Sequence, residues 1–214
     1  ISRPQDEGNG SLLRHETEGL DMTETRLDSR PRVPPNQVVT QKFPVMTAGT
    51  PATAGIEEWT LVLDGDVESP VTLDWAAFNS LPQQDFTADI HCVTRWSKLD
   101  TRWRGVSLQV LADLVRPKTG SDYVQARADG NYTANLRLRD LVSDKAFVAT
   151  GFDGKPLTLD HGGPARLVVP DLYFWKSAKW LRGLHFSPFD YKGYWEKLGY
   201  HNYGDPWLEQ RYRG

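Results

Sequence analysis

An α+β fold built from mixed β-sheets and short helices is what this 214-residue chain predicts, and three observations carry it. Short stretches of alternating apolar and polar residues recur between residues 59 and 186, the two-residue period of half-buried strands. Only residues 74–81 and 108–115 read as helices, and both are short. No internal repeat and no glycine-rich phosphate loop is present.

Taken in order, residues 1–36 form an extended polar N-terminal arm, rich in charge and broken by Pro31, Pro34 and Pro35. The main domain is expected over 37–190. Val38, Val39 and the run Lys42-Phe43-Pro44-Val45 read as extended chain, and a Thr/Ala/Gly/Pro loop follows over 47–55. Trp59, Leu61 and Leu63 alternate up to Asp64-Gly65, a strand and its turn. A short helix over 74–81 stops at Pro82. Phe86, Ala88 and Ile90 alternate next, which puts Cys92 at or just past a strand end. Ser107 caps a helix with apolar positions Leu108, Leu111, Leu114 and Val115, and Pro117 follows. Further strands are expected at 123–128, 146–152 (turning at Asp153-Gly154), 165–169 and 180–186. Residues 191–214 are an aromatic tail with too little aliphatic content for a core of its own, so it should pack on the domain.

The length suits one sizeable core plus tails. A formal net charge of −3 gives no electrostatic case for a nucleic-acid or membrane-surface partner. No stretch is long and apolar enough for a membrane span, and the one cysteine rules out an internal disulfide. The first residues carry no apolar export core, so a cytoplasmic location is expected; the chain opens at Ile1 rather than Met, and its native N-terminus is not assumed.

Three clusters could carry chemistry. Cys92 reads either as a small buried hydrophobe or as a thiolate, since Arg95, Lys98, Arg102 and Arg104 follow it closely with only Asp100 between them. A thiolate binds soft metals, but with no second Cys and no His-rich spacing most other ligands must come from a cofactor. Asp160-His161-Gly162-Gly163-Pro164 through Arg166 is either a close-approach turn beside a ligand or an ordinary turn. Trp175-Lys176-Ser177-Ala178-Lys179-Trp180 suits a planar, phosphorylated ligand, or else is a basic loop between core indoles.

Together these pieces resemble the molybdopterin-binding domain of the sulfite oxidase family. The likeness rests on Lys42-Phe43-Pro44-Val45, His91-Cys92-Val93-Thr94-Arg95-Trp96-Ser97 and Gly154-Lys155-Pro156-Leu157. It continues through His161-Gly162-Gly163-Pro164-Ala165-Arg166 and Lys176-Ser177-Ala178-Lys179-Trp180, covering about 38–190 in the family's order. The tail resembles the ending of a short, stand-alone branch. The resemblance implies a sulfite oxidase-type fold, a Mo-molybdopterin cofactor, and Cys92 as the protein ligand to molybdenum. It also implies Lys42, Phe43, His91, His161, Arg166, Lys176, Ser177 and Lys179 as residues that border or hold the cofactor.

Relatives that oxidise sulfite carry a tyrosine just before the Gly-Lys-Pro-Leu type turn; Thr150 stands there here, which counts against sulfite itself. A reductase branch also lacks that tyrosine and has a similar Cys-Val-x-x-Trp-Ser loop. The expected activity is oxygen-atom transfer to or from a small S-oxo or N-oxo substrate. Arg95 is the candidate for steering that substrate, and His201 and Asn202 are weaker candidates from the tail. With no haem-binding segment beside the matched region, electrons are expected to pass to or from a separate partner. The alternative is a protein that binds molybdopterin without turnover, or an aromatic-rich ligand-binding module.

Overall fold

The computed structural model describes residues 30–48 and 55–213. Most of the expected N-terminal arm and of the loop at 47–55 lies outside the described residues. The strands are β1 (Val38–Val39), β2 (Thr60–Gly65), β3 (Val71–Asp74), β4 (Gln84–His91), β5 (Trp96–Ser107), β6 (Tyr123–Ala128), β7 (Thr133–Arg137), β8 (Phe147–Phe152), β9 (Lys155–Pro156), β10 (Arg166–Val168) and β11 (Leu181–Ser187). The helices are α1 (Trp75–Asn79), α2 (Leu108–Val115), α3 (Leu138–Leu141) and α4 (Tyr194–Lys197). The α+β class expected from the sequence is the one observed.

One sheet runs β1-β5-β8-β10, with β4 paired to β5 and β9 to β8; the other runs β3-β2-β11-β6-β7. Pairing is antiparallel except for β1 with β5 and β2 with β11. Alternation dictates the inward faces: Leu61 and Leu63 of β2 and Val124 and Ala126 of β6 are fully buried, as are Val106 and Val148 of the other sheet. These residues belong to one continuous core. Phe86 stacks on Phe147 inside it, with ring centroids 4.1 Å apart.

Capping fixes the helices. The Asp74 carboxylate accepts from the Ala77 amide at 2.8 Å at the start of α1, and the Ser107 hydroxyl accepts from the Gln109 amide at 3.2 Å at the start of α2. On α2 the inward face is Leu108, Leu111, Ala112 and Val115; Leu114, expected there, is exposed, because Ala112 holds that side of the turn.

The longest strand, β5, was not legible as one. Its buried positions include Ser97, Thr101 and Gly105, which carry no apolar signal, while Arg102 and Arg104 point to solvent. At Gly105 a Cβ would lie 2.1 Å from the Val148 carbonyl, so this register with β8 requires glycine.

Candidate active site

β4 and β5 are joined by a tight loop, with the Cys92 amide donating to the Trp96 carbonyl at 2.8 Å and the Arg95 amide to the Cys92 carbonyl at 3.0 Å. Arg95 takes a left-handed φ of 72° to close it. Three segments stitch to one another beside this loop: the turn at 159–163, the start of β10 and residues 174–180. The Leu167 amide donates to Ala178 O at 2.9 Å, Trp180 N to Gly162 O at 3.2 Å, and Leu181 N to Ala165 O at 2.9 Å. A cavity of about 220 Å³ opens between them. Its walls come from 43–48, 92–96 and 174–180, with Tyr132, Arg166, Trp195 and Tyr200 completing them.

Cys92 lines this cavity. The Thr94 hydroxyl donates to its Sγ at 3.1 Å. Gln37 Nε2 donates to the Cys92 carbonyl at 3.1 Å and Arg211 to the Val93 carbonyl, so the loop is pinned from both sides. The cation-rich surrounding expected for the thiol is corrected by the strand geometry. Arg102 pairs with Asp153 at 2.6 Å and Arg104 with Asp85 at 3.2 Å, both roughly 20 Å or more along an extended strand. Lys98 is turned to the Gln41 carbonyl at 2.7 Å. Arg95 is exposed on the loop and does not line the cavity.

Arg166, Ser177 and Lys179 line the same cavity. The Arg166 guanidinium is 1% exposed and donates to the carbonyls of His161 and Ser177, each at 2.8 Å. No carboxylate of the described residues pairs with it, and burial pushes its pKa down to about 9, so it remains charged at neutral pH. Lys179 donates to the Asp160 carbonyl and, at 3.4 Å, to the Thr47 hydroxyl. Burial, then the neighbouring Arg166 charge, bring its pKa down to about 8 against the pull of Asp160. Two adjacent cations without carboxylate partners among the described residues are the complement of an anion. The Ser177 hydroxyl accepts from the Val169 amide at 2.9 Å, which fixes the segment.

Phe43 lines the cavity and stacks on His161, whose Nδ1 is buried without a hydrogen-bond partner among the described residues. Burial and the Arg166 and Lys179 charges lower the His161 pKa, keeping the ring neutral at pH 7.

Three expected cofactor contacts are corrected. His91 alternates to the opposite face from Cys92, where its Nδ1 meets the Ser97 hydroxyl at 2.8 Å and its ring packs edge-on to Trp207. Lys176 is wholly buried against Glu196 at 2.6 Å and donates to Asn135 and Asn202, so it is unavailable to a phosphate. Lys42 is exposed and outside the cavity wall. In the tail, His201 Nδ1 accepts from the Tyr203 and Gly204 amides and Asn202 joins the Lys176 network; neither lines the cavity.

Sequence reasoning left open whether the tail reaches the site, so it did not single out Trp195 and Tyr200, and it missed Tyr132. The aromatic density of the tail was the available signal, but nothing in it singled out which rings face inward. Burial raises the Tyr200 phenol's pKa, with the Tyr212 and Cys92 charges adding to it. Thr150 lies in a separate, open hollow with Gly151, Asp153 and Gly154, and not in the Cys92 cavity.

Residues 47–195 match the oxidoreductase molybdopterin-binding domain. The uncharacterised oxidoreductase YuiH of Bacillus subtilis (strain 168) is 43% identical over 186 residues, 86% of this chain and 94% of that protein. The protein-methionine-sulfoxide reductase catalytic subunit MsrP of Campylobacter jejuni is 26% identical over 69% of this chain, and that of Pseudomonas syringae pv. tomato 28% over 75%. The chain spans only 55% and 52% of those two subunits. Among solved structures, the sulfane dehydrogenase SoxCD from Paracoccus pantotrophus shares the fold, with a TM-score of 0.59 at 19% identity over 86% of this chain and 57% of that one.

Proposed function

Because the chain belongs to the oxidoreductase molybdopterin-binding domain family, we propose that it moves an oxygen atom to or from a small S-oxo or N-oxo substrate, with Cys92 as the protein ligand to molybdenum. It is a molybdopterin-dependent enzyme of the sulfite oxidase type, and its cofactor is Mo-molybdopterin. The family replaces the cofactor-free binding-module alternative.

The residues present fit that cofactor. Arg166 and Lys179 would hold its phosphate, Cys92 presents a soft sulfur in the same cavity, and His161 backs the wall through its stack on Phe43. When bound, the cofactor supplies two-electron chemistry at molybdenum. The chain's own residues hold the thiol and the cations in one cavity, and Trp96, Trp175, Trp195 and Tyr200 pack around Cys92, an apolar surround that limits the water reaching the sulfur.

The single observation that carries the reading is one cavity lined both by a thiol and by two cations that pair with no described carboxylate. In the reductive direction R₂SO takes up two protons and two electrons to give R₂S and water; the electrons come from a separate redox carrier. The MsrP relatives are named for methionine sulfoxide, a neutral S-oxo compound, which supports that substrate class here. No described helix is long and apolar enough to cross a membrane.

Elemental analysis and X-ray absorption on wild type and Cys92→Ser test the proposal. Near-stoichiometric molybdenum is expected in the wild type, with one sulfur fewer around the metal and no turnover in the variant. Normal turnover by Cys92→Ser overturns it.

A further inference from the structure

The polar groups of the cavity wall are almost all committed. The Thr94 hydroxyl is spent on Cys92, the Tyr132 hydroxyl on the Trp175 carbonyl, the Trp175 indole on Glu196 and the Trp180 indole on the Leu159 carbonyl. The Trp96 indole nitrogen has no partner but is shut away from any accessible surface. Tyr200 differs. Its hydroxyl makes no hydrogen bond to any described residue, and it is not among the buried polar atoms. Its ring packs in the small cluster that contains Cys92, edge-on to Trp175 at 5.1 Å and tilted against Trp195 at 4.7 Å. The two indoles and the backbone bridge to Tyr212 hold the ring in place, so its hydroxyl is a pre-positioned donor.

We propose that Tyr200 is a catalytic residue of this site, donating its phenolic hydrogen bond to the oxygen of a neutral S-oxo substrate beside Cys92. This rests on the oxygen-transfer reading above. The S–O bond is polarised, and negative charge builds on its oxygen as the bond breaks, so a fixed donor there stabilises the transition state more than the ground state. The phenol shares one side-chain cluster with Cys92, while Arg166 and Lys179 already donate to backbone carbonyls, which leaves the Tyr200 hydroxyl as an uncommitted donor beside the thiol.

The test compares molybdenum-loaded wild type, Tyr200→Phe and Tyr212→Phe. Tyr212 is 60% exposed, touches Tyr200 edge-on and serves as the control. All three should hold the same molybdenum. In Tyr200→Phe, kcat/KM for dimethyl sulfoxide reduction by reduced methyl viologen should fall about tenfold or more, and Tyr212→Phe should match wild type. Binding of unreactive dimethyl sulfone, followed by tryptophan fluorescence, should weaken about tenfold in Tyr200→Phe alone. Unchanged sulfone affinity in Tyr200→Phe overturns the assignment. A wild type that holds molybdenum yet reduces no S-oxo or N-oxo donor overturns the oxygen-transfer reading instead, and the sulfone comparison still decides the role of Tyr200.

Discussion

Phe43 and His161 lie face to face, with ring centroids 4.0 Å apart and planes 11° from parallel. The phenyl ring also contacts Phe152 at 5.0 Å and Trp103 at 6.0 Å, so it ties the turn at 159–163 to the core. Phe43→Ala should cost about 2–3 kcal/mol, somewhat under the fully buried range because the ring is half-buried. Urea denaturation reads the loss, and molybdenum content should fall with it. Phe43→Leu should keep most of both.

Lys176 and Glu196 form an ion pair whose side chains are each 1% exposed. Glu196→Gln strands a buried ammonium, and about 3–5 kcal/mol of stability should go. Replacing both partners, Lys176→Met with Glu196→Leu, should restore most of it. A double variant no more stable than the single one would show that the charge is not what the pair protects.

Lys179 titrates near the working range, at about 8. Its cation is present below that value and lost above it, so affinity for an anion in this cavity should decline as pH rises through about 8, by at most about tenfold per pH unit. Calorimetric titration of the cofactor-free protein with pyrophosphate between pH 6.5 and 9 measures this. Lys179→Met should flatten the break near pH 8 and leave weak residual binding through Arg166.

Gly162 sits at φ +100°, and a Cβ there would lie 2.8 Å from Lys179 Cβ. Gly162→Ala should therefore cost about 1–3 kcal/mol and displace Lys179. Gly154, at φ +75° with open space around it, isolates the backbone part: Gly154→Ala should cost about 1 kcal/mol and leave cofactor retention intact. Paired thermal melts and molybdenum assays separate the two effects.

The elements with clean alternation or a capping residue were legible: β2, β4 and β11 fall where the period of two placed them, β6 and β8 where strands were expected, β10 where a buried apolar run was read as one, and α2 begins at its Ser107 cap. β3, β5 and β7 were not, because short length or buried Ser, Thr and Gly erase the apolar signal. Cys92, Phe43, Arg166, Ser177 and Lys179, far apart in the chain, line one cavity. His91 and Lys176 do not join them, and the reason is local: each is next in sequence to a residue that faces the cavity, and its own side chain is turned into the protein. Which tail rings turn inward depended on contacts such as Arg211 with the Val93 carbonyl, a partner 118 residues away.

The parallel pairing of β2 with β11 joins Val62–Gly65 to Gly183–Phe186. One strand therefore waits for another made about 120 residues later before the second sheet can close. Such long-range pairing slows folding and leaves hydrophobic edges open in the meantime. Trp195 and Tyr200 emerge from the ribosome later still. The cavity lacks a complete wall until they arrive, so the site cannot take its final form before that stretch of chain has been made.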